Sequence, residues 1–189
     1  KGLAKASDGF RGLNTSPTLR GKWTHVNGVP SMDVTPAPEA EWVLRGDRGL
    51  TYAAGKPEGV ELTEGEWWPA DYNGPPLLSM DYEIAEGLGL ELGDTVTMNV
   101  LGRPFTAEIS NMRKVNWESM GINFVFLFSP QPLASAPHAH LMTISLDDVE
   151  SENEGEVIPI GGEAALRRAL INEYPNITVI RIKESLETI

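Results

Sequence analysis

Glycine and proline punctuate the middle of this chain so densely that no helix of ordinary length fits between Val29 and Pro76. Pro30, Pro36 and Pro38 interrupt residues 29–41; Gly46, Gly49, Gly55, Pro57, Gly59, Gly65, Pro69, Gly74, Pro75 and Pro76 then follow a few residues apart. Proline removes an amide donor and clashes with the preceding helical turn, and glycine weakens helix by its conformational freedom. Short strands and loops are what such spacing permits.

The segments on either side are more regular. Residues 19–26 alternate toward a strand that Asn27-Gly28 closes, after a turn-rich Asn14-Thr15-Ser16-Pro17 and a short helix expected over residues 1–8. Residues 77–80 read as a strand, Asp81 as an N-cap and residues 82–88 as one brief helix ended by glycine. Residues 95–101 and 105–109 are β-rich runs joined at Gly102-Arg103-Pro104, and Gly93-Asp94 marks the turn into the first. Residues 122–128 are almost wholly apolar, which predicts a strand covered on both faces. Beyond them the periodicity predicts a strand at 141–146, a helix at 163–174 stopped by Pro175, a strand at 177–182 and a new helical phase from 183.

Helix and strand at the front, and strand, helix and strand at the back, make up most of a split βαβ unit. The expected fold class is therefore α+β. Residues 1–45 and 136–189 form one discontinuous domain, whose strands at 19–26 and 177–182 share a sheet, and a β-rich domain at 46–135 is inserted into it.

Charge and composition then remove whole classes of function. The formal net charge of −12 disfavours nucleic acid and anionic membrane surfaces as partners of the bulk chain. Lys1, Lys5, Arg11, Arg20 and Lys22 make the first thirty residues basic, but too sparsely for a nucleic-acid arm. The absence of cysteine excludes disulfides, thiolate metal sites and cysteine nucleophiles. No apolar run reaches the roughly 20 residues that cross a bilayer. Because the chain opens on Lys1, the natural protein is expected to extend further.

Few residues suggest chemistry. His138 and His140 share a face if extended and can chelate zinc, but further ligands are lacking beyond the distant His25, so a packing or hinge role is the plainer reading. The acidic run of Asp147, Asp148, Glu150, Glu152, Glu154 and Glu156 lacks the spacing of an EF-hand and reads as a solvated loop. No nucleophile elbow, phosphate loop or dinucleotide fingerprint occurs. Arg45-Gly46-Asp47 is explained by a turn at its glycine. Trp67, Trp68, Phe124, Phe126 and Phe128 are the main aromatic concentrations; the three phenylalanines alternate as if on one sheet face. Core packing accounts for them most simply, and contact with an apolar cargo or partner is the sharper reading.

Several stretches together resemble a known family. These are Arg45-Gly46-Asp47-Arg48-Gly49-Leu50, Glu64-Gly65-Glu66-Trp67-Trp68-Pro69, Leu88-Gly89-Leu90 with Gly93-Asp94-Thr95, Ser119-Met120-Gly121-Ile122-Asn123-Phe124, and Phe128-Ser129-Pro130. They are similar to the extracytoplasmic region of MacB/FtsX-like ABC transporter permeases of the YbbP-like group. The resemblance implies a porter-like βαβ (ferredoxin-like) subdomain, its first strand preceding Lys1, with an inserted β-rich subdomain of the Sabre type, both ends running into transmembrane helices. It further implies a non-catalytic domain on the periplasmic face of the bacterial inner membrane, with no metal or cofactor of its own. ATP would be hydrolysed in a separate ATPase subunit, a lipid or envelope protein would be cargo or partner, and the intact permease would be a dimer. Two other readings stand beside it: a periplasmic hydrolase using carboxylates or a His138/His140 metal, and a small-ligand domain in which residues 88–96 belong to a cofactor-binding double-psi barrel.

Overall fold

The computed structural model describes residues 10–116, 122–146 and 163–180. The expected helix at 1–8, the acidic run at 147–156 and the segment from 181 onward lie outside the described residues. The chain divides into two compact units, one of residues 16–141 and one of residues 1–15 with 142–189.

The larger unit is built on a closed ring of six strands. β1 (Phe10–Val26) pairs antiparallel with β3 (Asp47–Tyr52), β3 pairs parallel with β8 (Phe126–Phe128), and β8 pairs antiparallel with β5 (Leu77–Asp81). β5 lies parallel to β7 (Arg103–Lys114), which pairs antiparallel with β6 (Thr95–Val100), and β6 returns antiparallel to β1. Off the ring lie β2 (Val29–Pro30) on β1 and β4 (Glu61–Gly65) on the second half of β7. β9 (Ala139–Leu146) also pairs with β1.

Strand alternation decides what fills the ring. Registers Gly21↔Val100, Trp23↔Met98, Leu50↔Phe126, Leu78↔Phe128 and Met80↔Phe126 place these residues on one side, the interior. Trp23, Leu50, Leu78, Met80, Val96, Met98, Phe126 and Phe128 are all fully buried. Small six-stranded barrels have interiors that side chains fill, and these do so, with Trp23 edge-on to Phe126 at 5.1 Å between centroids. Gly21 belongs to this fit: a Cβ there would lie 2.7 Å from Leu50 Cδ1 and 2.8 Å from Val100 Cγ2.

Local chemistry accounts for the connections. Asn27 and Gly28 both have positive φ (48° and 78°), as do Leu101 and Gly102 (52° and 82°), the conformation that matches two-residue hairpins to strand twist. The β6–β7 turn is thus Leu101-Gly102, one step earlier than the glycine, arginine and proline expected. α1 (Tyr82–Gly87) starts where the Asp81 carboxylate accepts a 3.0 Å bond from the Ile84 amide. Gly93 and Asp94 lock the entry to β6: Gly93 N–H donates to the Ile109 carbonyl at 2.9 Å and Ile109 N–H to the Asp94 carbonyl at 2.8 Å. Of residues 88–96, only Thr95 and Val96 belong to a ring strand, with Val96 fully buried; residues 88–94 are the connection from α1 into β6.

Several expectations are corrected. The units divide near residues 15 and 141, not 45 and 136, because Leu19, Trp23 and Val26 of β1 share one core with Val43, Leu50 and Phe126 and cannot belong to another domain. Residues 14–17 continue β1 instead of turning, with the Pro17 carbonyl accepting from Thr51 Oγ1 at 2.7 Å. Residues 122–124 precede β8 instead of forming its first half, and residues 177–180 are not a strand, so the sheet expected between 19–26 and 177–182 does not form over them. Of the smaller unit, α2 (Glu163–Glu173) matches the predicted helix, and Tyr174 N–H still reaches the Leu170 carbonyl before Pro175.

Truncating Phe126 to alanine should cost about 3–5 kcal/mol, from lost apolar burial and an unfilled cavity beside Trp23. Urea denaturation of the single variant measures it; a loss below about 0.5 kcal/mol, typical of surface sites, would contradict the interior placement.

Candidate functional site

The three phenylalanines do not share a face. Phe126 and Phe128 point into the barrel at 0% exposure, and Phe105 lies edge-on to Phe128 at 5.3 Å. Phe124 stands before β8 and outside the ring, its Cε1 3.4 Å from where a Gly49 Cβ would be. Only Phe124 keeps the partial exposure that a contact role needs. Alternate spacing misleads here because regular strand begins at Phe126.

The tryptophans form a strap on the outer face. At one end the Glu66 carbonyl accepts from Asn111 Nδ2 at 3.2 Å and Ser110 Oγ at 3.3 Å, both on β7. At the other, Trp68 Nε1 donates to the carbonyl of Ala53, just after β3, at 3.0 Å. In the ring β5 and β8 lie between β7 and β3, so the strap passes over both. That crossing explains why Ser79 and Leu127, which point outward from the barrel, are nevertheless buried. Gly65 makes the turn into it at φ 73°, where any Cβ would collide with the Ser110 carbonyl oxygen. Trp68 is only 4% exposed; Trp67 packs against it at 4.4 Å and is partly exposed. Trp68 is thus a cover for the barrel wall, and Trp67 the part of the pair open to contact.

His138 is held at both ring nitrogens. Nδ1 lies 2.8 Å from the Ala136 carbonyl, which makes it the protonated nitrogen and leaves Nε2 to accept from the Tyr52 hydroxyl at 3.3 Å. The Tyr52 ring is edge-on to the imidazole at 5.6 Å, and His140 lies 5.1 Å away. Among the described residues no group of three or more His, Asp or Glu converges as a metal site would require. His138 ties the segment entering β9 to the end of β3.

A buried cation was not anticipated from the sequence. Arg113 is 5% exposed and stands opposite Asp81, which is 1% exposed, in the β5–β7 register. Arg113 Nη2 donates to the Phe124 carbonyl at 2.6 Å and the Val125 carbonyl at 3.2 Å, while the Asp81 amide donates to the Val125 carbonyl at 3.3 Å. Desolvation lowers the Arg113 pKa to about 10, opposed by the neighbouring charge of Asp81. The guanidinium is thus the clasp that seats residues 124–125 ahead of β8, and Asp81 couples the same clasp to the cap of α1. In Met112-Arg113-Lys114 nothing distinguishes a strand-end arginine in solvent from this one. Its only trace is the unbroken apolar run it serves.

No family model matches the chain. Over 126 residues, 66% of its length, it is 33% identical to the uncharacterized ABC transporter permease YbbP of Escherichia coli (strain K12). This chain is similar to a part of an ABC transporter permease. It spans 14% of that permease's length. Among the described residues no helix is long and apolar enough to cross a membrane.

Replacing Arg113 by methionine should destabilise the chain by about 1–3 kcal/mol, because the Phe124 and Val125 carbonyls would lose their buried charged donor and Asp81 a neighbouring positive charge. Adding Asp81→Asn should recover part of that loss, and a double-mutant cycle in urea should give a coupling of about 0.5–3 kcal/mol; strict additivity would mean that the two side chains act separately. For the histidines, elemental analysis of protein equilibrated with zinc should read the same for the native chain and for H138A/H140A. One zinc per native chain, lost in the double variant, would reinstate a metal site.

Proposed function

We propose that this chain is the extracytoplasmic region of an ABC transporter permease subunit of the MacB/FtsX-like, YbbP-like group, and that it lies on the periplasmic face of the inner membrane. The observation that carries this reading is the 33% identity over 126 residues to a permease of which the matching chain spans only 14%. The barrel unit of residues 16–141 is taken as the counterpart of the inserted Sabre-like subdomain, and the unit built from both chain ends as the porter-like one. On this reading the domain does no chemistry. Its part is to transmit work from ATP hydrolysis in a partner ATPase to the envelope, in export, in handling lipid or lipoprotein cargo, or in mechanical signalling to an envelope protein. Phe124 and the exposed part of Trp67 are the aromatic groups placed to meet such a partner.

The test is topological. Alkaline phosphatase, active only outside the cytoplasm, is inserted in the full-length protein between Gly55 and Lys56, in the exposed bend after β3. Strong phosphatase activity in intact cells is expected. Activity of a cytoplasm-restricted reporter at the same position, with a silent phosphatase, would sink the assignment.

A further inference from the structure

The barrel ring has no free edge, but β4 lies outside it and pairs only with β7 among the described residues. Its other edge presents backbone donors and acceptors along Glu61–Gly65, a template onto which an extended chain can add. Beside it opens a cleft of about 390 Å³ floored by Tyr82, Leu90 and Met112 and rimmed by Glu64, Glu86 and Glu91. β4 and the cleft are contiguous through Glu64, which stands opposite Met112 in the β4–β7 register.

We propose that β4 and this cleft dock a basic, extended segment of a partner protein, added as a further strand with a lysine or arginine side chain laid into the cleft. The apolar floor suits the aliphatic stem of such a side chain and the carboxylates its charged head. Charge also selects among occupants. A second copy of this chain would bring Glu61 and Glu64 against the same residues, and the chain's own acidic run at 147–156 carries the wrong sign. The inference does not rest on the permease reading, and the phosphatase fusion can fail or succeed independently of it.

The probe is an acetylated, amidated nonapeptide alternating lysine and threonine with leucine at its centre, titrated into the 15N-labelled 189-residue chain. Amide shifts centred on residues 61–65 and 86–92, with slowed hydrogen exchange in β4, are expected. Methylating alternate peptide nitrogens should abolish binding, because it removes the strand-pairing donors. Glu86→Gln with Glu91→Gln should weaken it about fivefold, as two partly exposed ion pairs allow, and Glu39→Gln with Glu58→Gln should leave it within about twofold. The proposal is overturned by no binding, by shifts centred elsewhere, by undiminished binding of the methylated or an all-glutamate peptide, by spermidine alone reproducing the shifts, or by the chain dimerising through β4.

Discussion

β6 is hydrogen-bonded along both sides, to β1 and to β7, and that double pairing turns a sheet into a ring. Closure gives the fold one inside, where every second side chain is out of water, and leaves no edge within the ring for other strands. The consequences spread outward. Trp23 is fully buried, edge-on to Phe126 and opposite Met98, and Gly21 must be glycine because side chains of β3 and β6 meet there. Among the described residues, edges survive on strands off the ring, among them β2 and β4, of two and five residues.

The outside of the barrel is organised by a different economy of contacts. Where β5 and β8 pass under the tryptophan strap, their outward residues are as dry as the interior, so this part of the wall is buried on both faces. A short strand with two dry faces needs its approach fixed as well. Arg113 does that from β7, holding two carbonyls just ahead of β8 from within the apolar region instead of from solvent. A buried cation is costly to desolvate, and the lowered pKa of Arg113 records that cost.

How much of this was legible depends on whether the cause is local. The Asp81 cap and the Asn27-Gly28 turn follow from a few adjacent residues, and so does the helix ended by Pro175. The stretch of residues 29–76 that reads as free of helix, by contrast, holds 3-10 helices at Ser31–Asp33 and Pro38–Leu44, the second started by Pro38 and seated by burial of Ala40 and Val43. The domain boundary was misplaced because Leu19, Trp23 and Val26 look like any amphipathic strand; only pairing with β3 and β6 assigns them to the barrel. Pro17 suggested a turn, yet its role in β1 is to offer a carbonyl, which proline retains. For the aromatic candidates, residue type was legible and direction was not. Phe126 and Phe128 face inward, Trp68 lies flat as a cover, and the partners of His138 come from Tyr52 and Ala136, one of them far away in the chain.

The placement of β8 also constrains how such a chain can be made. It is the last of the ring strands to be synthesised, and among the described residues it alone bridges β3 and β5, pairing parallel with one and antiparallel with the other. Until residue 128 has emerged from whatever confines the nascent chain, the barrel stays open along that seam, with Leu50 and Met80 lacking Phe126 between them. Assembly is therefore governed by contacts between distant parts of the sequence, the kind that form slowly. A chain arrested before β8 would hold nearly the whole of this core and still have no closed surface, which makes three phenylalanine-rich residues late in the sequence the completion signal for everything before them.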